Sequence, residues 1–229
     1  MTPSQKSTLR RNAKKNALNP EHLMKIAMKR EGPDAEILRQ IAEENGWKIG
    51  AEEEDEIPFG MWIEICCQYI EGGPERMAEL AISDDTCVDY FYFSLAVLQR
   101  VKTEESVLAL VRIAEELPGV SLEGAEFRSG KMGPVGLLSE AINLVLSLKG
   151  APEINNALES RVREFLHAQI GGGELELDTD LSITIYALRG VGDSSSIDLL
   201  GSVRELPDPW DDCVPSTKRA IKKRIAAKK

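Results

Sequence analysis

The side chains in this 229-residue chain that could do chemistry are few and scattered. Its two histidines, His22 and His167, lie far apart, and neither sits in a His-Glu-x-x-His pattern that would aim two imidazoles at one zinc ion. His167 falls late in an expected helix, where a cation suits the terminal carbonyls. The cysteines, Cys66, Cys67, Cys87 and Cys213, include no C-x-x-C pair. That spacing supports neither a disulfide framework nor a metal set, and the four read as small hydrophobes on helices. The acidic pairs Glu104-Glu105 and Glu115-Glu116 would serve as acid and base only if two carboxyls were held a few ångströms apart in a cleft. A run of charge is ordinarily a solvated face. Gly190-x-Gly192 followed by Ser194, Ser195 and Ser196 has the glycines of a phosphate loop, but no strand precedes it, so it reads as a helix junction. The sequence therefore assigns no catalytic residue, no metal and no cofactor.

The elements that would carry these residues are helices. Ile37, Leu38, Ile41 and Ala42 recur with the 3.6-residue period, and the same spacing returns from residue 58 to 225. Short amphipathic helices are expected at 20–30 and 33–45. Hairpins are expected at 59–71 with 74–82, 86–101 with 104–117, 134–148 with 152–169, and 180–190 with 194–206. A basic last helix, 213–227, has no hairpin partner and reads as a terminal cap. Gly32-Pro33, Gly73-Pro74 and Gly133-Pro134 punctuate the series, since glycine ends a helix and proline suits the first position of the next. Residues 118–132 form a long insertion. Glu174-Leu175-Glu176-Leu177 alternates in a way that allows a short strand.

The apolar positions also repeat at long range. Leu98, Val101, Val107 and Leu110 are matched 90 positions later by Leu188, Val191, Ile197 and Leu200. Val145, Leu148 and Ile154 match the first set at an offset of 47. A period of about 43–47 residues per helix pair belongs to two-helix solenoids, whose units bury their apolar faces by stacking. The fourth unit, Ala187-Leu188-Arg189-Gly190-Val191-Gly192-Asp193 followed by Ile197-Asp198-Leu199-Leu200, resembles a HEAT repeat, and Asp208-Pro209-Trp210-Asp211-Asp212 is similar to that family's inter-repeat turn. Val101-Lys102-Thr103 and Leu148-Lys149-Gly150 depart from the Val-Gly-Asp turn. The resemblance implies an all-α, HEAT-like solenoid of about four helical hairpins over 57–229, behind a helical N-terminal extension with an acidic linker over 1–56. It implies second helices lining a concave face, and binding rather than one particular activity.

Charge narrows the partner. Residues 1–31 hold eight basic and two acidic residues, residues 218–229 hold seven basic and none acidic, and the stretch between carries a net charge of −23. Such a body repels nucleic acid, except at the basic ends, and attracts a basic protein. The expected partner-binding residues are Glu75, Glu79, Glu104, Glu105, Glu115, Glu159 and Asp198 on the second helices. Trp62, Tyr90, Tyr92 and Trp210 join them as anchors, because interface hot spots favour Trp and Tyr. Tyr90-Phe91-Tyr92-Phe93 puts four aromatics around one helical turn, which is either wholly buried or turns one edge to a partner. An acidic protein of this kind without an enzyme motif is similar in character to bacterial immunity proteins, some of which use HEAT-like folds against basic toxin domains. The rival readings are a repeat-fold enzyme or ligand-handling protein, DNA glycosylase-like or bilin lyase-like, and a scaffold whose basic tails hold nucleic acid. No run of 18 apolar residues offers a membrane span, and the polar, basic start is unlike a secretory signal, so the expected location is cytoplasmic.

Overall fold

A computed structural model of the chain describes residues 3–4, 7–8, 11, 34–44, 46, 59–83, 88–117, 132–147, 150–172, 175 and 177–228. The described residues form helices and turns and contain no strand. No helix among them is long and apolar enough to cross a membrane. The helix expected at 20–30, the acidic linker at 52–56, nearly all of the insertion at 118–132 and Glu174 and Glu176 of the alternating segment lie outside this set.

The chain divides into two compact units, Met1–Leu80 and Ala81–Lys229. The boundary expected at 56/57 falls outside the described residues. In the first unit, α1 (Asp34–Glu44) and α2 (Phe59–Ile82) are the main elements. Helix α2 is broken at Gly73, whose φ of 66° is open to glycine and strained for other residues, and Pro74 starts the second half. The expected turn is thus a sharp break within one run. Ala35, Leu38, Ile41 and Ala42 of α1 are buried, as are Met61, Trp62, Ile65, Cys66 and Tyr69 of α2. The polar seam between the two is a fork: Arg39 donates to both carboxylate oxygens of Glu71, at 2.6 and 3.1 Å, and also to Glu64. Cys67 closes the other side by donating its thiol to the Ala35 carbonyl.

The second unit holds α3 (Val88–Val101), α4 (Glu104–Glu116), α5 (Pro134–Leu146), α6 (Asn156–Gly171), α7 (Asp178–Val191), α8 (Ser194–Leu199) and α9 (Cys213–Ala227). Helices α3, α5, α7 and α9 pack each on the next, and α4, α6 and α8 do the same in a second row. Contacts of α3 with α4, α4 with α5, α6 with α7 and α8 with α9 join the rows. Apolar residues at 3.6-residue spacing fill the space between them, among them Leu98, Leu110, Val145, Val162, Leu166, Leu188 and Ile221.

The helix ends follow local chemistry. Thr103 and Ser106 cap α4 reciprocally, and Asp193 and Ser196 do so for α8. Helix α6 starts four residues later than its apolar pattern suggests, because Asn155 accepts the Leu158 N–H and so fixes the N-terminus there. Helix α8 is much shorter than the expected 194–206. After Leu199 the chain tightens into three-residue turns, Gly201 N–H to Asp198 O and Ser202 N–H to Leu199 O, and leaves the helix. Helix α9 is not without a partner: it buries Cys213, Thr217 and Ile221 and packs on α7 and α8.

Candidate interaction surface

The second row places its exposed side chains in three stripes. On α4 the exposed residues are Glu104, Glu105, Leu108, Glu115 and Glu116, with Arg112 half-buried among them. On α6 the stripe is Ala157, Arg161, Glu164 and Ala168, and on α8 it is Ser194, Ser195 and Asp198. Of the expected acidic residues, Glu104, Glu105 and Glu115 therefore share one helix face, and Asp198 stands at the far end of the same row. Glu75 and Glu79 are exposed on α2, in residues of the first unit, where Glu79 pairs with Arg76 at 2.8 Å.

Two kinds of contact hold the α4 face in shape. Arg161 of α6 lays one guanidinium edge, Nε and Nη2, on the two oxygens of Glu115, at 2.9 and 2.8 Å, and the Asn155 amide donates to Glu104 at 3.0 Å. Within α4, Arg112 reaches Glu116 at 2.9 Å. These pairs are exposed, so each is worth under about 1 kcal/mol and exchanges readily for an incoming cation. Leu108 stands in their midst at 46% exposure. It was not among the expected anchors, although the sequence carries the signal. Val107, Leu110, Val111 and Ala114 already fill the core face of α4, which leaves Leu108 surplus to it.

Glu159, expected to be exposed, is not: its side chain is 12% exposed. It sits at a junction of α6 and α9, where Arg163, Arg224 and Lys228 converge on its carboxylate. Burial pushes the Glu159 carboxyl up, but Lys228 and Arg224 outweigh it and hold the group below the usual carboxylate range. The two arginines also donate to the open end of α7, Arg163 to Val191 O at 3.1 Å and Arg224 to Gly192 O at 3.0 Å. Arg163 further contacts Asp193 at 3.1 Å.

The aromatic candidates separate in the same way. Trp62 is 5% exposed and belongs to the core of α2, so it is not positioned as a surface anchor. Phe91 and Phe93 are buried, Tyr90 is half-buried and Tyr92 is 40% exposed, so the aromatic turn of α3 shows one edge. Tyr92 is edge-on to Phe93, ring centres 5.5 Å apart. Trp210 is half-buried in the turn before α9.

The junction also contains a histidine, a serine and an aspartate. His167 Nε2 lies 2.7 Å from Ser196 Oγ, which accepts the Asp193 backbone N–H. Asp193 does not orient the imidazole: its carboxylate accepts from Ser195 and the Ser196 N–H and contacts Arg163. Ser196 is fully buried, so this is a structural tie between α6 and α8 and not a nucleophile. Burial lowers the His167 pKa against the pull of Asp193, and Arg163 lowers it further, so its surroundings disfavour the cation that its place in the helix suggested. Among the described residues, no group of three His, Cys, Asp or Glu could hold a metal ion. No protein-family model, curated protein or solved structure matches the chain.

Proposed function

We propose that the Ala81–Lys229 unit is a HEAT-like α-solenoid that binds a basic protein partner stoichiometrically, in the manner of an immunity protein neutralising a toxin domain in the cytoplasm. Its successive helix pairs in chain order are α3–α4, α5–α6 and α7–α8; the broken helix α2, expected as a further hairpin, belongs to the first unit. The two rows of helices support the solenoid reading, as do the ties between successive hairpins, such as Glu115 with Arg161 and Asp193 with Arg163. The observation that carries the binding reading is the α4 face. Four exposed carboxylates surround one exposed leucine, which offers charge for steering and an apolar contact for holding.

The test begins with a pull-down from native lysate using the full chain, followed by titration of the captured partner's own activity. The expected result is inhibition complete at one equivalent, weakened by salt, and abolished in an E104K/E105K/E115K variant of unchanged melting temperature. Unaltered inhibition by that variant would reject the α4 face. Loss of partner activity at a small fraction of an equivalent, persisting after the protein is removed, would replace binding with enzymatic modification.

A further inference from the structure

The basic side chains of the second unit are mostly engaged. Arg112, Arg161, Arg163, Arg204 and Arg224 each meet a carboxylate. Lys218, Lys222 and Lys223 are different: none makes an ion pair or hydrogen bond within the described residues, and all three lie on α9. Their neighbour Arg219 has a 67% exposed side chain and pairs with Asp212 at 3.2 Å. Residues 213–229 hold seven basic residues and no acid, in a chain with 38 acids and 28 bases. With Cys213, Thr217 and Ile221 buried, helical geometry turns the exposed Arg219, Lys222 and Lys223 to the opposite side, with Lys218 half-buried on the flank, its ammonium beside Gly201. The other exposed residues of α9 are Pro215, Ala226 and Ala227, with Lys228 just after its end.

That composition limits what the face can hold. It has no large apolar residue to enter a bilayer and no aromatic to stack on unpaired bases or to anchor a protein interface. What it offers is cations one helical turn apart, the requirement for contacting successive phosphates of a duplex without reading its sequence. The carboxylates beside it offset Arg219 but leave the three lysines. Asp212 is paired with Arg219, and Glu159 with Arg224 and Lys228. Charges farther than about 8 Å are screened at physiological ionic strength.

We propose that the outer face of α9, formed by Lys218, Arg219, Lys222 and Lys223, is a sequence-independent binding site for the phosphate backbone of double-stranded nucleic acid. It is separate from the α4 face and does not depend on that face having a partner.

The experiment is fluorescence anisotropy of the full chain against two labelled 20-base-pair DNA duplexes of unrelated sequence, from 50 to 200 mM salt. Both duplexes should bind alike. With the three unpaired lysines contacting phosphates, affinity should fall about forty-fold across that range, following a slope of roughly 0.9 per phosphate neutralised. K218Q/K222Q/K223Q should abolish binding with an unchanged melting temperature, and K218R/K222R/K223R should retain it. Three results would overturn the proposal: no binding at 50 mM salt, unchanged binding by the glutamine variant, or tighter binding to phosphatidylglycerol vesicles or to polyglutamate than to the duplexes. E104K/E105K/E115K is expected to leave the glutamine variant's loss unrepaired, which keeps this site distinct from the α4 face.

Discussion

The carboxylate of Asp180, in the first turn of α7, accepts the backbone N–H of Gly133 at the start of α5, with oxygens at 3.0 and 3.2 Å. One helix thereby caps another across 47 residues. Asp180 is 5% exposed, and no side chain is needed at Gly133 to complete the cap. The helices approach so closely that a Cβ at Gly136 would lie 2.2 Å from an Asp180 oxygen.

Burial raises the Asp180 pKa, only partly offset by the Gly133 N–H. The folded state therefore holds this proton more firmly than the unfolded chain does. Stability contributed by Asp180 is greatest below its unfolded pKa and declines as pH rises through the folded value. Asp180→Asn, whose amide oxygen still accepts the Gly133 N–H, should remove this slope. Denaturant titrations from pH 4 to 8 should show wild type losing ground to the variant as pH rises. Parallel curves would contradict the assignment. Gly136→Ala should destabilise by about 1–3 kcal/mol through overpacking against Asp180.

Glu159 carries the opposite sign. Its pKa is held down in the fold, so its contribution is present above the unfolded value and is lost as pH falls through the folded one. Glu159→Gln leaves Arg224 half-buried without its anion and Arg163 with Asp193 alone, and should cost about 1–3 kcal/mol at pH 7. The difference from wild type should shrink on acidification, measured by thermal melts at pH 7 and pH 3.5.

Tryptophan and leucine should part company under truncation. Trp62→Ala empties a core position and should cost about 3–5 kcal/mol. Leu108→Ala and Tyr92→Ala remove exposed side chains and should move stability by less than about 0.5 kcal/mol. Partner dissociation should respond to Leu108 and Tyr92, measured by surface-immobilised kinetics on folded variants.

The thiols should be inert in the native state. Burial pushes the Cys66 thiol far up, the Cys67 thiol up to about 12 and the Cys213 thiol up to about 11. Ellman's reagent at pH 8 should leave these three unmodified in the folded protein and modify them in guanidinium, with peptide mapping to assign each. Rapid native labelling of Cys66 or Cys67 would contradict their burial.

Helix existence was legible because glycine-proline punctuation and apolar spacing act locally, as at Gly133-Pro134 before α5. What was not legible depends on partners far along the chain. Asp180 looks in sequence like any acid in a first helical turn, where the dipole favours it; that it caps a second helix follows only from packing. Glu159 has the pattern of an exposed helix acid, and its burial is set by Arg224 and Lys228, 65 and 69 residues away. The Val191-Gly192-Asp193 turn was recognisable, but its glycine serves space rather than conformation: φ is −63°, and a Cβ there would lie 2.6 Å from Ile221. Lys102 occupies the matching place after α3 with φ 52°, so equivalent turns have unlike backbones.

The cap from Asp180 to Gly133 makes α5 and α7 specific to each other as well as close. A duplicated hairpin inserted between α5 and α7 would need its own carboxylate for Gly133 and its own bare glycine surface for Asp180. Without both, it would strand a buried acid and an open amide. Repeat arrays ordinarily lengthen by copying whole units, each indifferent to its neighbour's identity. At this joint α5 and α7 are matched to each other and neither would pack in the same way on a copy lacking the other's residue.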